Sequence, residues 1–182
     1  MFAEALWRAL SRITSFQMCV WDDDRDHMPS KAATALGSQL AKFSCLQRLN
    51  LSFNCLNADS VISLAPYLAQ LTSIQALLLH CNRIGADGAK SIAPHLVHLT
   101  CLKVLHLGGN EIAAAGAESI VPHVAHRSSI LMLDLSHNEI GAHGTKSIGP
   151  HLAHLTFIKV LNLSDNKLVP MVPSQSGPSW PA

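Results

Sequence analysis

Histidine offers this chain more scope for chemistry than any other residue type. Eleven histidines stand against twelve acids in 182 residues. Six form HxxH pairs at a constant interval: His95/His98, His123/His126 and His151/His154. On a helix, residues i and i+3 share one side, so three stacked helices would line up six imidazoles. Neutral imidazole is a good ligand for zinc or copper. The row contains no cysteine or carboxylate, however, and a duplicated segment copies an exposed residue as readily as a functional one. Histidine near a helix C-terminus also suits the dipole. The pattern therefore favours copied surface residues over a metal site, and no cofactor is expected. Protonation of every histidine would add eleven positive charges to a formal net charge of +1, so lower thermal stability is expected in mild acid.

Three other constellations could carry chemistry. Asp134 follows His106 by 28 residues, with Ser136 close behind, which invites a nucleophile–base–orienter trio. Lined up on a flat surface, these groups have no evident oxyanion donors or pocket, so a plain His–Asp hydrogen bond is expected and no catalytic residue is assigned. The segments 85–91 (GADGAKS) and 141–147 (GAHGTKS) superficially resemble a phosphate-binding loop. That loop requires G-x-x-x-x-G-K-[ST]. Here Ala89 or Thr145 separates the second glycine from Lys90 or Lys146, so the segments read as turns opening helices. The run Asp22, Asp23, Asp24, Asp26 lacks the spacing and distal glutamate of a calcium loop.

The elements that must position these residues follow from a repeat. Asn54, Asn82, Asn110, Asn138 and Asn166 recur every 28 residues without drift, the signature of a solenoid. Before each asparagine stands an apolar triplet: Leu46/Leu49/Leu51, Ile74/Leu77/Leu79, Leu102/Leu105/Leu107, Ile130/Leu133/Leu135 and Ile158/Leu161/Leu163. Such spacing suits a short strand with one buried side. The asparagine amide can then satisfy backbone groups of the neighbouring turn. Stacked, the amides should form a ladder, and Asn110→Ala should cost about 1–3 kcal/mol. A return helix follows, with Ala89, Ile92, Ala93, Leu96 and Leu99 on one side and Asp87, Pro94, His95 and His98 on the other. Pro94, which recurs as Pro66, Pro122 and Pro150, should kink or restart its helix with the ring toward solvent.

Residues 1–43 read as an N-terminal cap: a helix over Phe2 to Ile13, then a degenerate first repeat. In that repeat Phe16, Cys19 and Trp21 take the places of Ile74, Leu77 and Leu79, and Asp24 that of Asn82. Regular repeats fill 44–169. Residues 170–182 hold four prolines and no apolar periodicity, and read as a disordered tail. The array then ends halfway through a repeat, which suggests a piece of a longer array, or self-association or a partner at the open end.

Composition excludes several classes. The charge is balanced and no Lys/Arg stripe appears, so no nucleic acid is expected. No apolar run approaches the roughly 18 residues of a membrane span, and no secretory signal is visible. Five cysteines without paired spacing suggest a reducing, cytoplasmic compartment.

The segments LQRLNLSFNCL, IQALLLHCNRI, LKVLHLGGNEI, ILMLDLSHNEI and IKVLNLSDNKL resemble the leucine-rich repeat, L-x-x-L-x-L-x-x-N-x-L, over about residues 44–168. The 28-residue length and helical return resemble its ribonuclease-inhibitor-like subclass, which includes Ran GTPase-activating proteins and the sensor regions of NOD-like receptors. The resemblance implies an α/β solenoid, a horseshoe with a parallel sheet on the concave face and helices outside. It implies no enzyme activity but binding of a protein partner by the concave face. In a parallel sheet equivalent positions lie about 4.8 Å apart. The outward positions then form stripes: Arg48, Ala76, Val104, Met132, Val160; Asn50, Leu78, His106, Asp134, Asn162; and Ser52, His80, Gly108, Ser136, Ser164. The first is apolar across four repeats, and a contiguous exposed apolar patch marks a binding surface. The expected contacts are Arg48, Ala76, Leu78, His80, Val104, His106, Met132, Asp134, Val160 and Asn162. The alternatives are a small-GTPase regulator of the Ran-activating type and a fragment of a longer NOD-like-receptor-type protein.

Overall fold

A computed structural model of the chain describes residues 12–18, 28–125 and 129–168. Most of the expected helix over 2–13, the acidic run, His126 and the tail lie outside the described residues. Strands and helices alternate: β1 (Ser15–Gln17), α1 (Ser30–Leu40), β2 (Arg48–Asn50), α2 (Ala58–Leu68), β3 (Ala76–Leu78), α3 (Gly85–Leu96), β4 (Val104–His106), α4 (Ala113–Ala125), β5 (Met132–Asp134), α5 (Gly141–Leu152) and β6 (Val160–Asn162). The strands form one parallel sheet in sequence order. Each helix from α1 to α4 packs on the next along the array.

Leucine periodicity produces this stack. The central strand residues Leu49, Leu77, Leu105 and Leu133 are fully buried, as are Leu51, Leu79, Leu107 and Leu135 two positions on. From the other layer, α3 contributes Ala89, Ile92, Ala93 and Leu96, the face expected from its periodicity. Burying one such leucine stabilises the fold by about 1.5–3 kcal/mol. No coil encloses these residues by itself, so each depends on its neighbours.

The asparagines interleave adjacent coils. Asn82 Oδ1 accepts from the N–H groups of Asn54 and Leu56, both at 3.0 Å, in the preceding coil. Its Nδ2 donates to Leu51 O at 3.0 Å and Leu79 O at 2.8 Å. Asn138 and Asn166 repeat the pattern. The ladder is therefore built from amide-to-backbone bonds, not from amide to amide. Asn110 departs from it. Its Nδ2 donates to three carbonyls, but its buried Oδ1 has no partner among the described residues. The cause lies at Arg83. The corresponding residues Cys55, Glu111, Glu139 and Lys167 have φ of 49°, 57°, 55° and 54°. Arg83 does not adopt this left-handed turn, and its N–H donates instead to Leu56 O at 2.8 Å.

Three expectations need correction. First, the sheet register places Phe16 opposite Leu49, which aligns with Leu77, so Phe16 does not take the place of Ile74. Ile13, Phe16 and Met18 instead supply the L-x-x-L-x-L positions and pack on the core. The likeness of TSFQ to TSIQ misleads because sheet register depends on apolar burial and backbone pairing. Gln47 and Arg48 both donate to Thr14 O, at 2.8 and 2.9 Å, as Gln75 and Ala76 donate to Gln47 O. Second, no helix restarts at its proline. Helices α2 to α5 each continue through Pro66, Pro94, Pro122 or Pro150. Each proline sits near the helix end, so few downstream bonds depend on it. Three rings are exposed as expected, and Pro122 is half-buried. Third, the outward apolar stripe is not exposed along its whole length, as described below.

Glycine is required where helices approach closely. A Cβ on Gly144 would lie 2.9 Å from Ala114 Cα, and one on Gly116 would lie 2.9 Å from Ala89 Cβ.

Candidate functional site: the outward face of the sheet

Strands of three residues present two outward side chains each, and the register sets them in rows. Arg48, Ala76, Val104, Met132 and Val160 are paired in sequence across β2 to β6, as are Asn50, Leu78, His106, Asp134 and Asn162. The structure thus brings the expected contact residues together on one surface. It does not expose them equally. Ala76 and Leu78 are only 9% and 7% exposed and form a floor. Val104 and Met132 are half-buried, while Arg48 and Val160 are exposed. The accessible apolar row is therefore Val104, Met132 and Val160, with Leu78 beneath one end.

Beside this row runs a polar line. Ser52 Oγ lies 2.7 Å from His80 Nδ1. The His80 and His106 rings are 4.6 Å apart, and Phe53 meets His80 in a T-shaped contact at 4.8 Å. His106 Nε2 lies 3.1 Å from Asp134 Oδ2, which also accepts from Asn162 Nδ2 at 3.2 Å. His106 Nδ1 is buried with no partner among the described residues. The tautomer with its proton on Nε2 satisfies Asp134 and leaves only a lone pair at the buried nitrogen. Phe53 was not among the expected contacts. It is 55% exposed, and its contact with His80 spans adjacent coils, which no local spacing signals.

The electrostatics follow from this packing. Burial, then the neighbouring His106, push the His80 imidazole below the ordinary histidine value, while Asp134 pulls it up. Burial pushes the Asp134 carboxyl up. Hydrogen bonds from the Ser136 hydroxyl and N–H, the nearby His106 and a bond from Asn162 outweigh burial and hold it below the usual carboxylate value.

This order of contacts does not form a catalytic triad. Ser136 Oγ donates to Asp134 Oδ1 at 2.7 Å and Ser136 N to the same oxygen at 2.9 Å. The carboxylate stands between serine and imidazole, so His106 is not placed to take the serine proton. The glycine segments are helical, not the turns read from the sequence: Gly85 and Gly141 have φ of 64° and 66° and are the first residues of α3 and α5, and Lys90 pairs with Asp87 at 3.1 Å.

On the helical side, His98, His123 and His154 are exposed, and His95 and His151 are half-buried. Burial, then His98, push His95 below its ordinary value. His123 Nδ1 lies 2.7 Å from Ser119 O. Among the described residues no three His, Cys, Asp or Glu side chains cluster as a metal site would require. Cys45, Cys55, Cys81 and Cys101 are free thiols. No helix among the described residues is long and apolar enough to cross a membrane.

Comparison with known proteins agrees with this architecture. The family model described as "Leucine Rich repeat" matches residues 44–65, 70–93, 98–121 and 128–149. By sequence, no curated protein matches the chain. Among solved structures, the chain is similar to the leiomodin-1 actin-binding site 2, with a TM-score of 0.62 and 16% identity over 84% of this chain and 86% of that one. It is also similar to the tropomodulin C-terminal domain from Caenorhabditis elegans, with a TM-score of 0.62 and 8% identity over 85% and 93%. At these identities the likeness is one of fold. Four matched repeats, a sequential parallel sheet and a helix returning between each pair of successive described strands identify the chain as a member of the leucine-rich repeat family.

Proposed function

We propose that this chain is a non-enzymatic protein-interaction module that binds its partner on the concave sheet face. One observation carries the reading. A solvent-facing sheet row is ordinarily polar, yet Val104, Met132 and Val160 lie in register there with accessible apolar surface. Met132 is central and adaptable in shape. Arg48, His80, His106, Asp134 and Asn162 supply polar contacts beside the row, and Ala76 and Leu78 its floor. The 28-residue period and helical return support the ribonuclease-inhibitor-like subclass. The free thiols support a reducing, cytoplasmic setting.

Proximity labelling in the source cell, followed by capture on the immobilised chain, tests the binding reading. Met132→Glu and Val104→Glu should remove the captured partner while leaving the far-ultraviolet circular dichroism unchanged. Capture unaffected by both substitutions refutes it. Two defined probes belong in the same screen. GTP-loaded Ran tests the GTPase-regulator alternative, and actin is suggested as a probe by the leiomodin-1 similarity.

Self-association at the β6 edge is a second proposal, favoured by Leu161. It is 39% exposed, whereas its counterparts Leu49, Leu77, Leu105 and Leu133 are buried. Sedimentation velocity should show a dimer that Leu161→Lys dissociates, and a monomer at all concentrations refutes it.

A further inference from the structure

The ring stack on the concave face has a chemical property that partner binding alone does not require. His80 sits between Phe53 of the preceding coil and His106 of the next. We propose that the Phe53–His80–His106 stack is a proton-operated element of the binding face, a neutral aromatic ridge at neutral pH that loosens when His80 takes a proton. As a statement about regulation, this rests on the concave-face reading above.

The geometry gives the reason. A neutral His80 with its proton on Nε2 can accept the Ser52 hydroxyl at Nδ1, 2.7 Å away. A charged ring can only donate from that nitrogen, so the Ser52 hydroxyl must turn. Ser52 is itself buried, which leaves it little freedom to turn toward water. The new charge also lies beside a second imidazole at 4.6 Å, where two protonated rings would repel. Asp134 is the compensating anion, but its carboxylate already serves His106, Ser136 and Asn162.

The charged or titratable groups facing His80 can be named by strand. From β2 the only such outward side chain is Arg48; from β4 it is His106; from β5 it is Asp134. Cys81 adjoins His80 in the chain, and burial pushes its thiol up, so it remains neutral through this range. Asp134 is held ionised. His80 is thus the group whose change of charge in mild acid this stack must accommodate. When His80 is charged, the Phe53 ring loses its neutral partner, and the edge of the ridge next to Leu78 and Val104 reorganises.

The test uses the full chain and needs no partner. Imidazole Cε1–H resonances and the Phe53 ring resonances are followed by nuclear magnetic resonance from pH 8 to pH 5. His80 should titrate with a midpoint below 6.5, and the Phe53 ring shifts should follow the same midpoint. Ser52→Ala, which removes the hydroxyl that must turn, and His106→Gln, which removes the neighbouring imidazole, should each raise the His80 midpoint. Asp134→Asn should lower it. A His80 midpoint at or above 6.5, or Phe53 shifts independent of it, overturns the proposal. If the NMR result holds while Met132→Glu leaves capture unchanged, the proton-operated stack stands and the binding assignment falls.

Discussion

Two asparagines at equivalent places in neighbouring coils should differ sharply when truncated. Asn138 Oδ1 accepts from Asn110 N at 3.0 Å and Ile112 N at 3.2 Å, and all these groups are buried. Asn138→Ala leaves both N–H groups without a partner. An orphaned buried donor costs about 1–3 kcal/mol, so the two together cost about 2–6 kcal/mol. The carbonyls that Asn138 serves are protected. Leu107 O keeps the Asn110 amide at 2.9 Å, and Ser136 O keeps Gly109 N at 2.8 Å. For Asn110 every contact is of this protected kind. Leu79 O keeps Asn82 Nδ2, Leu107 O keeps Asn138 Nδ2 and Gly108 O keeps Cys81 N. Asn110→Ala orphans nothing and removes an unpartnered oxygen. Its cost should fall near the low end of the range expected from sequence, about 1 kcal/mol. The cavity contribution is common to both substitutions, so the difference isolates the orphaned donors. Urea unfolding followed by circular dichroism at 222 nm, with unchanged m-values, measures both. The reasoning expects Asn138→Ala to be the more destabilising by about 2 kcal/mol or more. Equal costs, or a larger cost at Asn110, would refute it.

Ala113 has φ of 57° where Gly85 and Gly141 stand in other coils; Ala113→Gly should stabilise the protein by about 1 kcal/mol, and Gly85→Ala should destabilise it by a similar amount. Thermal melting that ranks these two variants the other way would contradict the backbone account. Gly144→Ala should destabilise by about 1–3 kcal/mol, because the added methyl meets Ala114 backbone at 2.9 Å; a raised melting temperature would mean the helices can separate without loss. His80 and His95 are both lowered in the folded state, by burial first and a neighbouring histidine second. The unfolded chain then binds more protons near pH 6, so stability present above about 6.5 is lost as pH falls through the folded values. Asp134, also lowered, adds stability above about 3.8 that is lost in stronger acid. The melting temperature should be lower at pH 5.5 than at pH 7.5, and an unchanged value across that interval would reject the histidine contribution.

Spacing alone determined the solenoid. The recurring asparagine, the leucine triplets and the helical face of Ala89, Ile92 and Leu96 can be read locally, because a strand buries alternate residues and a helix buries one side. Those rules also placed Val104, Met132, His106 and Asp134 on one face, since a constant period puts equal positions side by side. Tertiary structure decided what spacing leaves free. Phe16 entered the sheet opposite Leu49 because backbone pairing, not similarity of letters, sets register. Ala76 and Leu78 sank into the floor because exposure depends on larger neighbours in adjacent coils. Asn110 lost its donors because the turn at Arg83, one coil earlier, took another path. Asp134 came to stand between Ser136 and His106 because each side chain chose its partner in three dimensions. Period and burial are properties of one coil repeated; partner choice and exposure belong to the gaps between coils, and the physical contacts there join residues about 28 apart in the chain.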